Sequence, residues 1–221
     1  MENLEKNPLT YSDELLKSIK WNADGLVPVI AQDYRTGEIR MFAWANQEAL
    51  MLTLQTGYAH YYSRSREKVW KKGETSGELQ KVIEVRIDCD EDVILYLIEQ
   101  KLNRACHTGE RNCFFRSIDG EMAERLLPFE TLGRLEEVIK QRLIERPEGS
   151  YTVKLFLEGE DRIIQKFGEE AVESLIALKN GNKKQIAMEV SDLLYHLTLA
   201  LVVKGLEWHQ IMEELASRFK K

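Results

Sequence analysis

The hydrophobic periodicity of the chain changes near residue 128, and this change constrains the fold more than any other feature. Before it, short runs rich in β-branched and aromatic residues are separated by turn residues, which is typical of strands. After it, apolar residues recur at helical spacing, as at Leu132, Leu135, Val138, Ile139 and Leu143. We therefore expect two domains, residues 1–127 and 128–221.

The strand-like runs of the first half predict an α+β domain with a mainly antiparallel sheet. The turn residues Thr36-Gly37 indicate a hairpin between the first two runs. One helix is expected to interrupt the strands, with Asn46 as its N-cap and Gly57 at its end. The predicted strands are Val27–Tyr34, Glu38–Ala45, Ala59–Ser63, Leu79–Asp88, Asp92–Gln100 and Asn112–Ser117.

The second half predicts an all-α helical bundle, because its helices are joined by short connections. Pro147-Glu148-Gly149-Ser150 ends the first helix, and Asn180-Gly181-Asn182 and Gly205 separate later ones. The later helical stretches run roughly over Tyr151–Lys179, with Gly159 as a candidate break, Lys183–Lys204 and Leu206–Phe219.

The charge and the apolar content limit the classes of partner. The formal net charge of −6 and the pI near 5.4 argue against non-specific binding of nucleic acid. No apolar run approaches the roughly 18–20 residues that span a bilayer, and the N-terminus is too polar for a secretory signal. Three cysteines are too few for a disulfide scaffold. We expect a cytoplasmic protein with no nucleic-acid or membrane partner.

All three cysteines lie in the first half, at Cys89, Cys106 and Cys113, and His107 follows the second of them. Thiolates are good zinc ligands, and three of them leave a fourth position for water, as in catalytic zinc sites. His107 is a candidate fourth ligand or a candidate base for that water. The alternative is that the cysteines are ordinary buried thiols.

Three aspartates, Asp88, Asp90 and Asp92, alternate around Cys89. On a strand their carboxylates would project from one face and repel one another, and Mg²⁺ would relieve that repulsion. The alternative is a solvated turn between two strands.

A basic segment, residues 63–77, precedes these motifs and combines cations, hydroxyl groups and glycines that can hold a phosphate. An aromatic ring in it could stack on a base. An exposed basic loop is the alternative. The candidate substrate-binding residues are Arg64, Trp70, Lys72, Thr75 and Ser76.

Acidic residues also recur on two predicted helices of the second half. Glu170 and Glu173 share one helix face, as do Glu189 and Asp192 on the next helix. Antiparallel packing of these helices would gather four carboxylates into a site for Mg²⁺, which often bridges carboxylates and phosphates. The alternative is a charged face in contact with solvent. Arg142, Lys154 and Lys166 are candidate phosphate partners.

Several of these motifs resemble known families. The first half resembles phosphoribosyl-AMP cyclohydrolase and the second resembles phosphoribosyl-ATP pyrophosphatase, a MazG-like all-α enzyme. The two halves in this order resemble the fused bifunctional enzymes of histidine biosynthesis. The matching stretches of the first half are Gly25–Ile30, Ala59–Ser65, Trp70–Gly77, Asp88–Asp92 and Cys106–Gly109. Those of the second half are Pro147–Thr152, Gln165–Ala171 and Asp192–Leu197.

The resemblance implies two successive hydrolyses of phosphoribosyl nucleotides. The second domain would convert phosphoribosyl-ATP to phosphoribosyl-AMP and pyrophosphate. The implied Mg²⁺ ligands there are Glu170, Glu173, Glu189 and Asp192. Glu169 would be an additional ligand, or it would contact the ligands without binding the metal. The first domain would use zinc-activated water to open the adenine ring between N1 and C6.

For that first domain, the resemblance implies zinc on Cys89, Cys106 and Cys113, proton transfer by His107, and Mg²⁺ on Asp88, Asp90 and Asp92. It also implies a homodimer with the zinc site at the subunit interface, and substrate binding by Trp70–Gly77.

The chain departs from the cyclohydrolase pattern at Glu78, where a His or Asn is expected, and at Asn112, where a Ser is expected. Two other hypotheses share the same ligands. One is a nucleotide pyrophosphatase of broader scope fused to a zinc hydrolase of other purines. The other is a non-catalytic, zinc-stabilised dimerisation module on a helical bundle.

Overall fold

The computed structural model describes residues 8–123, 127–128 and 130–219. The chain divides into two compact units between residues 125 and 126.

The first unit is built on a six-stranded mixed sheet with the strand order β4-β3-β2-β1-β6-β5. Neighbouring strands are antiparallel, except that β1 and β6 run parallel. The expected α+β class with a mainly antiparallel sheet is therefore confirmed. The strands are β1 Val27–Asp33, β2 Ile39–Ala45, β3 His60–Ser63, β4 Lys68–Lys71, β5 Gln80–Ile87 and β6 Ile94–Gln100.

Among the described residues, two α-helices accompany the sheet, α1 (Asp13–Ser18) and α2 (Gln47–Thr56). The predicted caps of α2 are confirmed, because the Asn46 side chain accepts a hydrogen bond from the Ala49 amide and Gly57 ends the helix at φ 70°. One face of α2 packs on the sheet in a core whose buried members include Val29, Leu50, Leu54, Tyr61 and Tyr96.

Two features of this unit differ from the prediction. Asn112–Ser117 is not a strand, because its only pairing among the described residues is an isolated bridge from Arg116 to Met122. The Cys113 amide instead donates to the Arg40 carbonyl at 2.8 Å. Conversely, the segment interpreted as a basic loop contains β4, which forms because Trp70 packs against Tyr61 of β3.

The second unit is an all-α bundle, as predicted. Its core contains Ile139, Leu155, Ile163, Leu199 and Ala200. The expected breaks at Gly159 and at residues 180–182 are both present, since each glycine there has a positive φ. The helices are α3 Glu130–Glu145, α4 Tyr151–Glu158, α5 Glu160–Asn180, α6 Lys183–Val203 and α7 Trp208–Ser217.

One helix in the described part of the chain, α6, is long and apolar enough to cross a bilayer, with a mean hydropathy of 1.6 in its most apolar window. The expectation that no segment approaches this length and composition was therefore wrong. The criterion is also met by core helices of water-soluble proteins. Here α6 packs against α5 and α3 and carries Glu189 and Asp192 midway, so it is a helix of the bundle.

Candidate metal sites of the two domains

Cys106 and Cys113 lie beyond the end of β6, close enough for their thiols to hydrogen bond. Burial opposes ionisation of Cys106, but hydrogen bonds outweigh it and lower the pKa of this thiol. One of them comes from the Thr108 hydroxyl, at 3.0 Å from Cys106 Sγ. Burial and then the negative charge of Cys106 raise the pKa of Cys113 to about 11. Two adjacent sulfur donors are a pair that suits a soft cation such as zinc.

His107 is exposed, and its Nδ1 lies 3.9 Å from Cys106 Sγ. Within the described residues, no third His, Cys, Asp or Glu donor joins Cys106 and Cys113 in a group spanning 4.8 Å or less. A single chain therefore supplies only two of the three thiols expected for zinc.

Cys89 lies at the opposite end of β6, exposed in the turn between β5 and β6. The strand contains seven residues, which corresponds to about 20 Å at about 3.3 Å per residue. Because Cys106 and Cys113 follow the far end of the same strand, the topology separates Cys89 from them within one subunit.

The carboxylates of Asp88, Asp90 and Asp92 come together, each offering an oxygen within 4.8 Å of the others. They do so from a turn, so the interpretation as one face of a strand was wrong. The turn is closed by the Asp92 and Val93 amides, which donate to Asp88 Oδ1 at 3.0 Å.

The charges of these aspartates interact. The neighbouring charge of Asp90 raises the pKa of Asp92, whereas the hydrogen bond from the Val93 amide lowers that of Asp88. Lys20 also reaches this turn and donates from Nζ to the Asp90 carbonyl at 2.7 Å. A cluster of carboxylates that repel one another is a suitable oxygen site for a hard cation.

The candidate substrate-binding residues fall into two groups. Lys72 is buried and pairs with Glu78 at 3.4 Å, and the Ser76 hydroxyl donates to the same carboxylate at 3.2 Å. The positive charge of Lys72 acts to lower the pKa of Cys113, which places this group beside the thiols. Thr75 is exposed in the same turn. The other two lie against aromatic rings, Arg64 over Trp44 and Trp70 against Tyr61.

Gly73 shapes the turn that carries Lys72 and Ser76. Its φ is +77°, and a Cβ added there would lie 2.3 Å from the Glu78 carbonyl carbon. We expect Gly73→Ala to lower the free energy of unfolding by clearly more than the about 1–2 kcal/mol that a left-handed conformation costs a non-glycine residue.

The matched control is Gly25→Ala, because Gly25 has a similar φ of +70° but nothing within 4 Å of the added Cβ. Denaturant unfolding of both variants checks the prediction. Equal losses of stability would show that the close approach to Glu78 is not what requires glycine at position 73.

In the second domain, Glu170 and Glu173 on α5 and Glu189 on α6 bring carboxylate oxygens within 4.8 Å of one another. Glu170 is buried, whereas Glu173 is exposed. The charges of Glu170 and Glu189 raise the pKa of Glu173. This oxygen-rich set suits Mg²⁺.

The other predicted ligands lie at the edge of this cluster. Glu169 is paired with Lys166 at 2.9 Å and with Arg162 at 3.5 Å, and Lys166 also contacts Glu170 at 3.0 Å. Asp192 is exposed and is not among the three carboxylates that converge. Lys166 therefore lies between the carboxylates as their counter-charge.

His196 is a candidate site residue that sequence reasoning missed. It is buried on α6, with Nε2 3.7 Å from Glu170 Oε1, and burial lowers its pKa. The rings of Tyr151 and Tyr195 surround it. The available signal was its position four residues after Asp192, on the same helix face. The remaining candidate phosphate partners, Arg142 and Lys154, contact Thr152 and Glu158 respectively.

Comparison with known proteins identifies both halves. The family model for phosphoribosyl-AMP cyclohydrolase matches residues 41–115, and that for phosphoribosyl-ATP pyrophosphohydrolase matches residues 132–219. Relatives named histidine biosynthesis bifunctional protein HisIE are similar over nearly the whole chain. The one from Aquifex aeolicus is 61% identical, covering 91% of this chain and 98% of its own. Those from Thermotoga maritima and Pyrococcus furiosus are 46% and 47% identical, covering 88% and 94% of this chain and 98% and 99% of their own.

These matches agree with the fold and with the acidic and thiol clusters. They identify both domains as metal-dependent hydrolases whose substrates are phosphoribosyl nucleotides of histidine biosynthesis. The chain therefore belongs to the family of bifunctional histidine-biosynthesis enzymes, with a phosphoribosyl-AMP cyclohydrolase domain followed by a phosphoribosyl-ATP pyrophosphohydrolase domain.

Proposed function

We propose that the cyclohydrolase domain works with zinc held by Cys106 and Cys113 of one subunit and Cys89 of the partner subunit. The observation that carries this proposal is the position of the thiols at opposite ends of β6: Cys106 and Cys113 are adjacent at one end, and Cys89 is exposed at the other. Exposure leaves Cys89 accessible to a second chain, and a two-fold axis would generate two identical sites.

Zinc at this position supplies an activated water for attack on C6 of the adenine ring. Hydrolysis adds this water across the bond between N1 and C6, so a proton must leave the water as the ring nitrogen accepts one. His107 is exposed beside Cys106, and we assign this proton transfer to it. Lys72, Thr75 and Ser76 hold the substrate phosphate beside the thiols.

Arg64 and Trp70 complete substrate binding in this proposal. The Arg64 guanidinium can pair with phosphate oxygens, and the Trp70 ring can stack on a base. We assign Mg²⁺ to Asp88, Asp90 and Asp92, because their carboxylate oxygens converge and the charge of Asp90 raises the pKa of Asp92.

In the pyrophosphohydrolase domain we assign Mg²⁺ to Glu170, Glu173 and Glu189, with Asp192 and Glu169 joining when substrate is bound. The convergence of the first three carboxylates supports this assignment. Lys166 already neutralises Glu169 and Glu170. It is placed to transfer these contacts to the triphosphate, from which water releases pyrophosphate and leaves phosphoribosyl-AMP.

We propose that the enzyme is a cytoplasmic homodimer with domains 1–127 and 128–221, acting on small molecules and not on nucleic acid or membranes. The net charge of −6 supports the absence of a polyanionic partner. Exposed apolar side chains on α5 and α6 are available for self-association. They are Val172, Leu175, Ile176, Leu178 and Met188.

Product analysis by mass spectrometry with phosphoribosyl-ATP as substrate tests the metal assignments. With zinc withheld, phosphoribosyl-AMP should accumulate, because only ring opening depends on the thiol site. With magnesium withheld, phosphoribosyl-ATP should remain. Ring opening that continues in zinc-free enzyme, or pyrophosphate release without magnesium, would contradict the assignments. Supplying phosphoribosyl-AMP directly is the control for the second step.

A further inference from the structure

A buried group of charges joins the β1–β2 hairpin to the loop that carries Cys113. Asp33 and Arg40 lie on the two strands of the hairpin, and the guanidinium donates to Asp33 Oδ2 from Nη2 at 2.8 Å and from Nε at 3.0 Å. Both side chains are almost fully buried, at 1% exposure for Arg40 and 5% for Asp33. Buried charges of this kind are stable only when they are paired.

Glu38 extends this group towards the cysteine loop. Its carboxylate lies 3.0 Å from Arg40 Nη1, accepts a hydrogen bond from Arg111 Nε at 2.5 Å and accepts another from Asn112 Nδ2 at 2.6 Å. The two carboxylates and the two guanidinium groups balance in charge. Both residues that immediately precede Cys113 are therefore held by the same buried carboxylate.

The backbone of Cys113 is attached to the same hairpin. Its amide donates to the Arg40 carbonyl at 2.8 Å. The loop lies outside the strands of the sheet, and Cys113 in this loop is exposed. Arg111 also donates to Asn103 Oδ1, and the Ala105 amide donates to the Arg111 carbonyl. Together with these bonds, the contacts through Glu38 and Arg40 hold the Cys113 thiol beside that of Cys106.

We propose that Glu38 is a positioning residue for the zinc site: its carboxylate, held by Arg40, fixes Arg111 and Asn112 so that Cys113 faces Cys106 in the geometry that zinc requires. The inference rests on the proposed zinc site. It also gives a role to Asn112, one of the departures from the cyclohydrolase pattern, because an amide can donate to a carboxylate in this position.

The first test is zinc affinity of the full-length enzyme, measured by competition with a chromogenic chelator. Glu38→Gln should raise the zinc dissociation constant by about 10–100-fold, the usual effect of changing a residue behind the ligands. In the zinc-free protein, alkylation of Cys113 by iodoacetamide should become faster relative to Cys106. The matched control is Glu84→Gln on β5, an exposed carboxylate paired only at the surface with Arg86, which should change neither quantity.

A second pair of variants separates positioning from general stability. Asn112→Asp places a carboxylate against Glu38 and should weaken zinc binding, because like charges would push the loop away. The double variant Glu38→Gln with Asn112→Asp restores an amide–carboxylate pair with its polarity reversed. It should recover part of the zinc affinity, and pyrophosphate release should be unchanged in all variants.

Zinc affinity that is unchanged in both single variants would overturn the inference, as would a double variant whose losses simply add. If Glu38→Gln does not fold, the zinc affinity of Asn112→Asp compared with that of the unaltered enzyme decides the question, because Asn112 is only partly buried. A failure of the unaltered enzyme to bind zinc would instead overturn the zinc site itself, and the two failures are thus distinguished.

Discussion

Cys106→Ala should abolish ring opening of phosphoribosyl-AMP and leave pyrophosphate release from phosphoribosyl-ATP largely intact. The reason is that Cys106 is the thiol with the lowered pKa and therefore the strongest candidate zinc ligand. Its loss should weaken zinc binding by more than the about 10–100-fold seen when residues behind the ligands are changed. The carboxylate cluster of the second domain lies in a separate compact unit.

Measurement of both products from the same reaction, together with zinc content, checks this expectation. Thr108→Val is a graded comparison, because it removes only the hydroxyl that donates to Cys106 Sγ and leaves the thiol in place. It should reduce ring opening less than Cys106→Ala does. Equal loss of both hydrolytic activities in Cys106→Ala would contradict the independence of the two metal sites.

Glu173→Gln should block the first hydrolysis and spare ring opening when phosphoribosyl-AMP is supplied directly. The carboxylates of Glu170 and Glu189 face Glu173 and raise its pKa, which indicates more negative charge than Lys166 offsets, an excess that a cation would relieve. The amide keeps the size of the side chain but removes the charge that binds Mg²⁺. Because Glu173 is exposed, the fold should not change, and the rate of pyrophosphate release should fall by at least about 10–100-fold.

The matched control for this variant is Glu214→Gln on α7, which removes an exposed carboxylate paired with Arg218. It should leave both activities unchanged. Pyrophosphate release by Glu173→Gln at the unaltered rate, with magnesium dependence retained, would exclude Glu173 from the metal site.

The local signals of the sequence predicted much of the fold. Caps such as Asn46 and Gly57, and the glycine at position 181, act through hydrogen bonds and φ angles within a few residues, so they could be identified directly. Asn112–Ser117 was mistaken for a strand because its contacts are distant in sequence, with Arg40 and Glu38. The reason is different for β4, which pairs locally with β3: two of its four residues are lysine, a residue depleted in strands, so its sequence was interpreted as a loop.

The candidate sites could be predicted to different extents. Glu170 and Glu173 converge because residues three apart share a helix face, which spacing alone shows. Their approach to Glu189 requires two helices to pack, and spacing does not give that. His196 and Glu38 have no ligand motif of their own, and their relevance comes from which groups the fold places beside them. Family membership, in turn, excludes the non-catalytic hypothesis and favours phosphoribosyl substrates over other purines.

Subunit mixing tests the shared zinc site most directly. Cys89→Ala and Cys106→Ala enzymes, each inactive in ring opening alone, are mixed under conditions that exchange subunits. If each site takes Cys89 from the partner chain, half of the sites in every mixed dimer are intact, and random exchange should restore about one quarter of the unaltered activity. If all three thiols of a site come from one chain, every site in the mixture lacks a ligand. Ring opening would then stay at the background level, and that result would contradict the account.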